Sequence, residues 1–459
     1  MRSRSSLGIL FLIVFTDLLG FGIVIPLLPR YGEVYAASIE AWRTTVSLWP
    51  GMAHVTSSPA IFPGLCLGIL LSCYSLFQFI FSPVWGKLSD RFGRKPILII
   101  SLLGSAAGYT LFAGAHSIVM LILARSLAGI MAANISTAQA YIADVTTPEN
   151  RAKGMGVVGA AFGLGFSLGP FAGGLLASLH GSAFMEQACR AIPLMSDIFD
   201  NVQGFPGLFA AGLSLTALVL TILFLPESLP AAADRTRVRP PRFKLIWNAL
   251  RSPQVGIVYI LFFIYTFGFT QMEVTLAQLI GNRFGLDIRQ SYWMFAWVGL
   301  LGAIVQGGLI GRLSKRFGER ALSSTGILFV TVSLGAMSFV PGVGWLMGML
   351  ALLALGAGIA NPSLSALVSR LTPPTEQGSA FGVFQSISSI ARIIGPVVAQ
   401  LLYQRGLHMH APYLVATAAG AIGFLLSLWL FARPVAPPAL ETRVVPHPGE
   451  SPRPSESSS

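Results

Sequence analysis

Twelve runs of about 20 mostly apolar residues follow one another along the chain. They lie near 7–29, 64–85, 96–115, 117–143, 155–179, 205–225, 255–280, 291–311, 321–340, 344–369, 379–403 and 411–432. Each can cross a bilayer as a helix, and the segments between them are mostly short and polar. The pattern therefore predicts an all-α membrane protein of twelve transmembrane helices. The first run carries Asp17 at its middle and is too long for the apolar core of a cleaved leader, so it reads as a retained span. Four polar stretches interrupt the rhythm. Residues 226–254, from PESLP to RSPQ, are basic and proline-containing, and read as a linker between a six-span half at 1–225 and a second at 255–433. The tail 434–459, ending SPRPSESSS, has too little apolar content to fold. Segments 30–63 and 180–204 are longer than a helix hairpin needs and are expected to be irregular covering loops. Alternatively, Trp42, Trp49 and Phe184 rest them at the membrane interface.

Composition sharpens the reading. Hydrophobic residues make up 54% of the chain and charged ones 10%, with a mean hydropathy of +0.71. A soluble domain carries roughly a quarter charged residues, so an ordinary cytosolic enzyme is excluded. The net charge of +12 would suggest nucleic acid in a soluble protein, but the basic residues sit between spans. With the N-terminus inside, 22 Lys and Arg fall on inner segments and 6 on outer ones, a bias that places both termini in the cytoplasm and predicts no nucleic-acid partner. Three cysteines, Cys66, Cys73 and Cys189, make no disulfide or metal framework. The GxGxxG match at Gly154, Gly156 and Gly159 opens a membrane helix with no strand before it, and no GxxxxGK[ST] sequence exists to bind ATP. His408 and His410 have no further ligands nearby in sequence. No metal or cofactor is expected, which leaves an ion gradient as the energy source.

An internal repeat carries more information. GKLSDRFGRK at 86–95 returns as GRLSKRFGER at 311–320, and Gly156, Gly169 and Pro170 return as Gly382, Gly395 and Pro396 at nearly the same offset, indicating a duplicated six-helix unit. Between the copies Asp90 becomes Lys315, Arg94 becomes Glu319 and Asp144 becomes Arg370. A pair whose two charges are both reversed is most simply explained by contact, so Arg94 is expected to meet Asp144, and Glu319 to meet Arg370.

These residues resemble a known family. GKLSDRFGRK is similar to the signature loop of the major facilitator superfamily, and the run from Leu123-Ala124-Arg125 to Gly129 resembles its second motif, with Ala128 where Gln is frequent. Gly165, Gly169, Pro170, Gly173 and Gly174 match the motif that marks its proton-driven antiporters, and span one, with Asp17, Gly20, Gly22 and Pro26-Leu-Leu-Pro29, is similar to the tetracycline and drug:proton branch. The resemblance implies two pseudo-symmetric six-helix bundles in a bacterial inner membrane, working as a monomer. It also implies a cytoplasmic gate in which Gly86 and Gly93 allow a tight loop, Arg91, Arg94 and Lys95 keep it inside, and Asp90 meets the start of span eleven near Gly378 and Ser379. Lys315 cannot repeat that contact, so the gate is expected to be asymmetric. Small residues at 165, 169, 173 and 174 offer a smooth helix face for close packing; the copy has Ala399-Gln400 in place of Gly173-Gly174.

Four charges lie within spans, Asp17, Arg125, Glu273 and Arg392, and each needs a polar cavity or a partner. Counting residues from the span ends puts Asn134 at the depth of Asp17, roughly 15 Å, and Arg125 far from it at roughly 28 Å, so Asn134 is the expected neighbour and Arg125 acts through water or substrate. Glu273 either lies in an outer vestibule, binding protons or cationic substrate, or touches solvent. Arg392, whose repeat counterpart is Phe166, either attracts an anionic substrate group or pairs with Glu273. Phe262, Phe263, Tyr265, Phe267 and Phe269, with Trp293 and Trp297, are expected mostly to pack or face lipid, the alternative being to stack on a flat ligand. The reading is a secondary transporter exporting a lipophilic or amphiphilic small molecule in exchange for protons, with Asp17 as the switch. A metabolite facilitator or importer on the same fold is the rival. A membrane-embedded enzyme or receptor would require a clustered constellation that the sequence lacks.

Overall fold

The computed structural model describes residues 2–48, 61–182, 187, 196–229, 242–251, 253–373, 376–404 and 409–432. Trp49, Phe184, Cys189, His408 and the tail 434–459 lie outside them. Among the described residues eleven helical stretches are long and apolar enough to cross a membrane. One of these, Gln290–Met337, has 48 residues, or about 72 Å at about 1.5 Å per residue, more than twice the hydrocarbon thickness. It is broken at Gly318, whose φ of 76° and ψ of 157° are not helical, so it holds two spans and the total is twelve.

Spans two, ten and eleven run past both ends of their apolar runs, and spans five and seven past one end, because polar residues there remain helical. Span two runs Ile61–Phe92 and span three Arg94–Ala113, with Gly93 alone between them at φ 104°. The expected loop at 86–95 is therefore a helix end, one left-handed residue and a helix start. Gly86 is within the helix and does not turn it. Gly93 and Gly318 are the residues whose identity the repeat preserves for backbone reasons.

The pairing of helices shows the duplication. In the first half span one (Arg2–Ile23) packs on spans five (Pro148–Ser178) and six (Gly204–Phe224). Span two packs on four (Ile118–Met131 continuing as Ile135–Val145), and three packs on both four and six. Adding six to each number gives the pairings of the second half. Span seven is Val255–Phe284, eight begins at Ile288–Ile304, nine ends at Met337, and ten to twelve are Val343–Leu371, Gln377–Gln404 and Ala411–Ala432. The halves meet through span two on eleven and span five on eight, two contacts that the same shift interchanges. Prolines sit inside spans two, five, ten and eleven at Pro83, Pro170, Pro362 and Pro396.

The segment after span one corrects the expectation of an irregular loop. Leu28–Val34 and Ala36–Ser47 are helical. Tyr35, Ile39 and Val46 are buried, and the Trp42 ring stands edge-on to Phe62 at 5.7 Å. Their spacing of four, three and four residues is an amphipathic helix stripe hidden among Glu, Arg and Thr. The Tyr35 hydroxyl donates to Ala115 O (2.7 Å), and Gln203 Nε2 donates to both that hydroxyl (2.6 Å) and Ala115 O (2.9 Å). This node ties the segment before span two to the one before span six. The linker between halves holds a helix, Arg242–Arg251, whose Ile246 is buried and which packs on spans seven and eleven.

Spans nine and ten approach backbone to backbone. A Cβ on Gly326 would stand 2.7 Å from Ala360 N, and one on Gly356 would stand 2.8 Å from Gly326 O. Gly326→Ala is expected to cost about 1–3 kcal/mol and lower the melting temperature of the purified protein, whereas Gly344→Ala, with nothing within 4 Å, leaves it unchanged. Equal melting curves for the two variants would refute this packing.

Candidate functional site

The four charges within spans are all deeply buried, each at 4% exposure or less. Asp17 accepts from Ser105 Oγ at 3.3 Å and from the Asn134 side chain, while its Oδ2 has no partner. Asn134 reaches it because span four breaks into a 3-10 turn at Ala132–Asn134, and its Nδ2 also donates to Ser101 Oγ at 2.8 Å. The hydroxyls of Tyr74 and Tyr109 donate to Asp17 O at 3.1 and 3.4 Å. Arg125 makes no hydrogen bond to Asp17 but adjoins this cluster through Tyr74. Its guanidinium carbon is 4.5 Å from the Tyr74 ring centroid and 5.3 Å from that of Phe21, Nη1 donates to Gly20 O at 3.4 Å, and Nε and Nη2 are unpartnered.

The second half contributes Glu273 and Arg392, which line one cavity enclosing about 780 Å³ of empty space, part of it open to solvent. Glu273 does not lie at the surface, which removes the reading in which it merely touches solvent. Arg392 Nη1 donates to Ser388 Oγ at 2.8 Å, and its guanidinium carbon lies 4.9 Å from the Phe166 ring centroid and 5.6 Å from that of Phe21. Arg392 thus rests on its own repeat counterpart. Of the seven aromatics singled out in sequence, Phe262, Tyr265 and Phe269 line the cavity, while Phe263 stacks on Phe267 at 6.1 Å and Trp293 is 55% exposed. Gln306 was missed. Its Nε2 donates to Ser167 Oγ at 2.7 Å and joins span eight to span five in the cavity wall; the available signal was a lone amide in an apolar run.

At the end of the bundle that carries Gly93 and Gly318, both reversed pairs are in contact. Arg94 Nε is 3.0 Å from Asp144 Oδ2, and Arg370 Nη2 is 2.7 Å from Glu319 Oε1. Arg94 Nη1 also bonds Asp90 and donates to Ser89 Oγ at 2.7 Å; in the copy Ser314 Oγ donates to Glu319 Oε1 at 2.9 Å. Glu227, which the sequence reading passed over, accepts from the backbone N–H groups of Arg94 (2.8 Å) and Lys95 (3.0 Å). It supplies the anion that the start of span three favours. Arg91 lies over the ring of its neighbour Phe92 at 5.2 Å.

The family model for the Major Facilitator Superfamily matches residues 10–310 and 274–453. The chain belongs to this superfamily. It is therefore a membrane transporter and not an enzyme. Among curated relatives it is similar to the bovine major facilitator superfamily domain-containing protein 10, at 29% identity over 86% of each chain, and to the class E tetracycline resistance protein of Escherichia coli, at 31% identity over 85% of this chain and 86% of the relative. Among solved structures it is similar to the human organic anion transporter MFSD10 (TETRAN), with a TM-score of 0.68 and 25% identity over 93% of this chain and 99% of that one.

In this superfamily member the glycine run of span five lies against span one. A Cβ on Gly165 would meet Leu18 Cβ at 2.8 Å, one on Gly169 would meet Gly22 Cα at 2.8 Å, and one on Gly173 would meet the Ile23 carbonyl. Gly174 faces Tyr292 of span eight instead, so span five is clasped on two sides. In the copy Gln400 Nε2 donates to Val274 O at 3.4 Å, a side-chain hydrogen bond where Gly174 leaves room for the Tyr292 backbone.

Because Asp90 is a third partner of Arg94, exchanging two charges reproduces only part of the copy. Arg94→Glu and Asp144→Arg are each expected to destabilise, the double exchange to recover part of the loss, and the triple with Asp90→Lys to recover more. The coupling should be roughly 0.5–3 kcal/mol. Thermal melts of these four variants and of Asp90→Lys alone, each against wild type at equal salt, measure it. Additive losses would show that the three side chains act independently.

Proposed function

We propose that this transporter is a proton-coupled antiporter that exports amphiphilic organic molecules, driven by the proton gradient across a bacterial inner membrane with both termini in the cytoplasm. The protein works as a monomer, its halves at 1–225 and 255–433 rocking about the contacts of spans two with eleven and five with eight while 226–254 links them. Asp17 is the coupling residue. The observation that carries this reading is its surroundings: Ser105 and Asn134 satisfy the carboxylate through neutral groups, and Oδ2 is left free. A carboxylate held that way can gain and lose a proton without stranding a buried cation. Relatives named for tetracycline resistance and for organic anion transport support an organic cargo. The aromatic lining of the cavity suits one.

In vesicles with an imposed pH gradient, Asp17→Asn is expected to abolish gradient-driven transport of amphiphilic dyes while membrane insertion and melting temperature stay unchanged, since the amide keeps the size and loses the titrating charge. Gradient-driven transport at the wild-type rate would remove Asp17 from coupling. Transport without any proton movement in the wild type would replace the antiporter by a facilitator.

A further inference from the structure

Two ionisable side chains of opposite type face one apolar cavity without bonding each other. Glu273 on span seven and Arg392 on span eleven both line it, at 4% and 3% exposure, and Glu273 Oε1 and Arg392 Nη2 have no hydrogen-bond partner. Of the neighbouring polar groups, Ser388 accepts from Arg392 Nη1, Ser167 accepts from Gln306 and Thr270 donates to Thr266 O, while the Thr266 hydroxyl has no partner and carries no charge to answer either group. Buried charged atoms left in that condition are costly, so the cavity is incomplete without a ligand that supplies both missing partners.

We propose that the cavity takes a zwitterionic amphiphile, its carboxylate on Arg392, its ammonium group on Glu273 and its flat apolar body against Phe166, Phe262 and Phe269. This rests on reading the cavity as the transport site and goes further by naming the charge class of the cargo. A purely anionic ligand answers Arg392 but sits beside an uncompensated Glu273; a purely cationic one does the reverse; a neutral one leaves both charges as they are. The orientation is fixed as well. Arg392 has Phe166 as its repeat counterpart, so the wall from span five is aromatic where the wall from span eleven is charged. The polar end of the ligand therefore lies toward Glu273 and Arg392, and its ring toward Phe166 of span five and Phe262 and Phe269 of span seven.

Equilibrium binding to purified full-length protein in lipid nanodiscs tests this without any gradient, so loss of proton exchange and loss of charge recognition are read separately. Three probes share one ring: naphthylalanine with both charges, naphthylpropionate with the carboxylate alone, and naphthylethylamine with the ammonium alone. Wild-type protein is expected to bind naphthylalanine about tenfold more tightly than either single-charge probe. Arg392→Gln should weaken the two carboxylate-bearing probes about tenfold and leave naphthylethylamine within about twofold, and Glu273→Gln should do the converse. Arg392→Lys, which keeps the charge, should retain the carboxylate preference. The proposal is overturned if naphthylalanine shows no saturable binding, if it binds no more tightly than the single-charge probes, or if each variant weakens all three alike at an unchanged melting temperature.

Discussion

A charged side chain in hydrocarbon has to find its solvent within the protein, and the middle of this molecule is arranged around that requirement. Span four leaves the α-helix at Ala132–Asn134, a turn that presents an amide to Asp17. Two tyrosines approach the same level from spans two and three to bond the Asp17 backbone carbonyl. The Phe21 ring serves two guanidinium groups, Arg125 from the first half and Arg392 from the second, through the negative faces of an aromatic quadrupole. One phenylalanine of an apolar span thereby becomes the point at which buried cations from the two halves meet.

The duplicated unit shows how a network can be inverted without being lost. At one helix end a cation at 94 is held by acids and a serine; at the other an anion at 319 is held by an arginine and a serine. The serine is common to both because a hydroxyl can accept from Arg94 and donate to Glu319 with the same side chain. Glycine is retained at 93 and 318 for a different reason, since both adopt a left-handed φ that a Cβ would strain. Positions where only geometry matters are conserved between the copies, and positions where sign matters change together.

The contact between halves is built mainly from shape. A Cβ on Gly68 would stand 3.2 Å from the Pro396 carbonyl, and one on Gly299 would stand 2.8 Å from Phe171 Cβ, while directional links such as Ser72 Oγ to Ile393 O (2.8 Å) and Gln306 to Ser167 are few along these helices. Close apolar surfaces with sparse hydrogen bonds can shift on one another at low cost. That is the mechanical property a transporter with a central cavity needs.

The number of spans, their approximate places, the duplication and the two reversed ion pairs were legible from the residues alone, because hydropathy is read locally and a repeat compares the chain with itself. The Asn134 side chain was also placed beside Asp17 by a depth count, since rise along a helix is constant. The helical stripe of Tyr35, Ile39, Trp42 and Val46 was present in the sequence but obscured by the polar residues between. Other features depended on rotation and crossing of helices distant in sequence: Arg392 resting on Phe166, Glu227 closing the start of span three, Gln306 reaching Ser167, and Glu273 turned into the cavity rather than toward solvent. A residue's depth in a membrane follows from counting along its own helix. The face it presents, and what it meets there, is decided by breaks such as the 3-10 turn at Ala132–Asn134 and by packing against partners that no local pattern names.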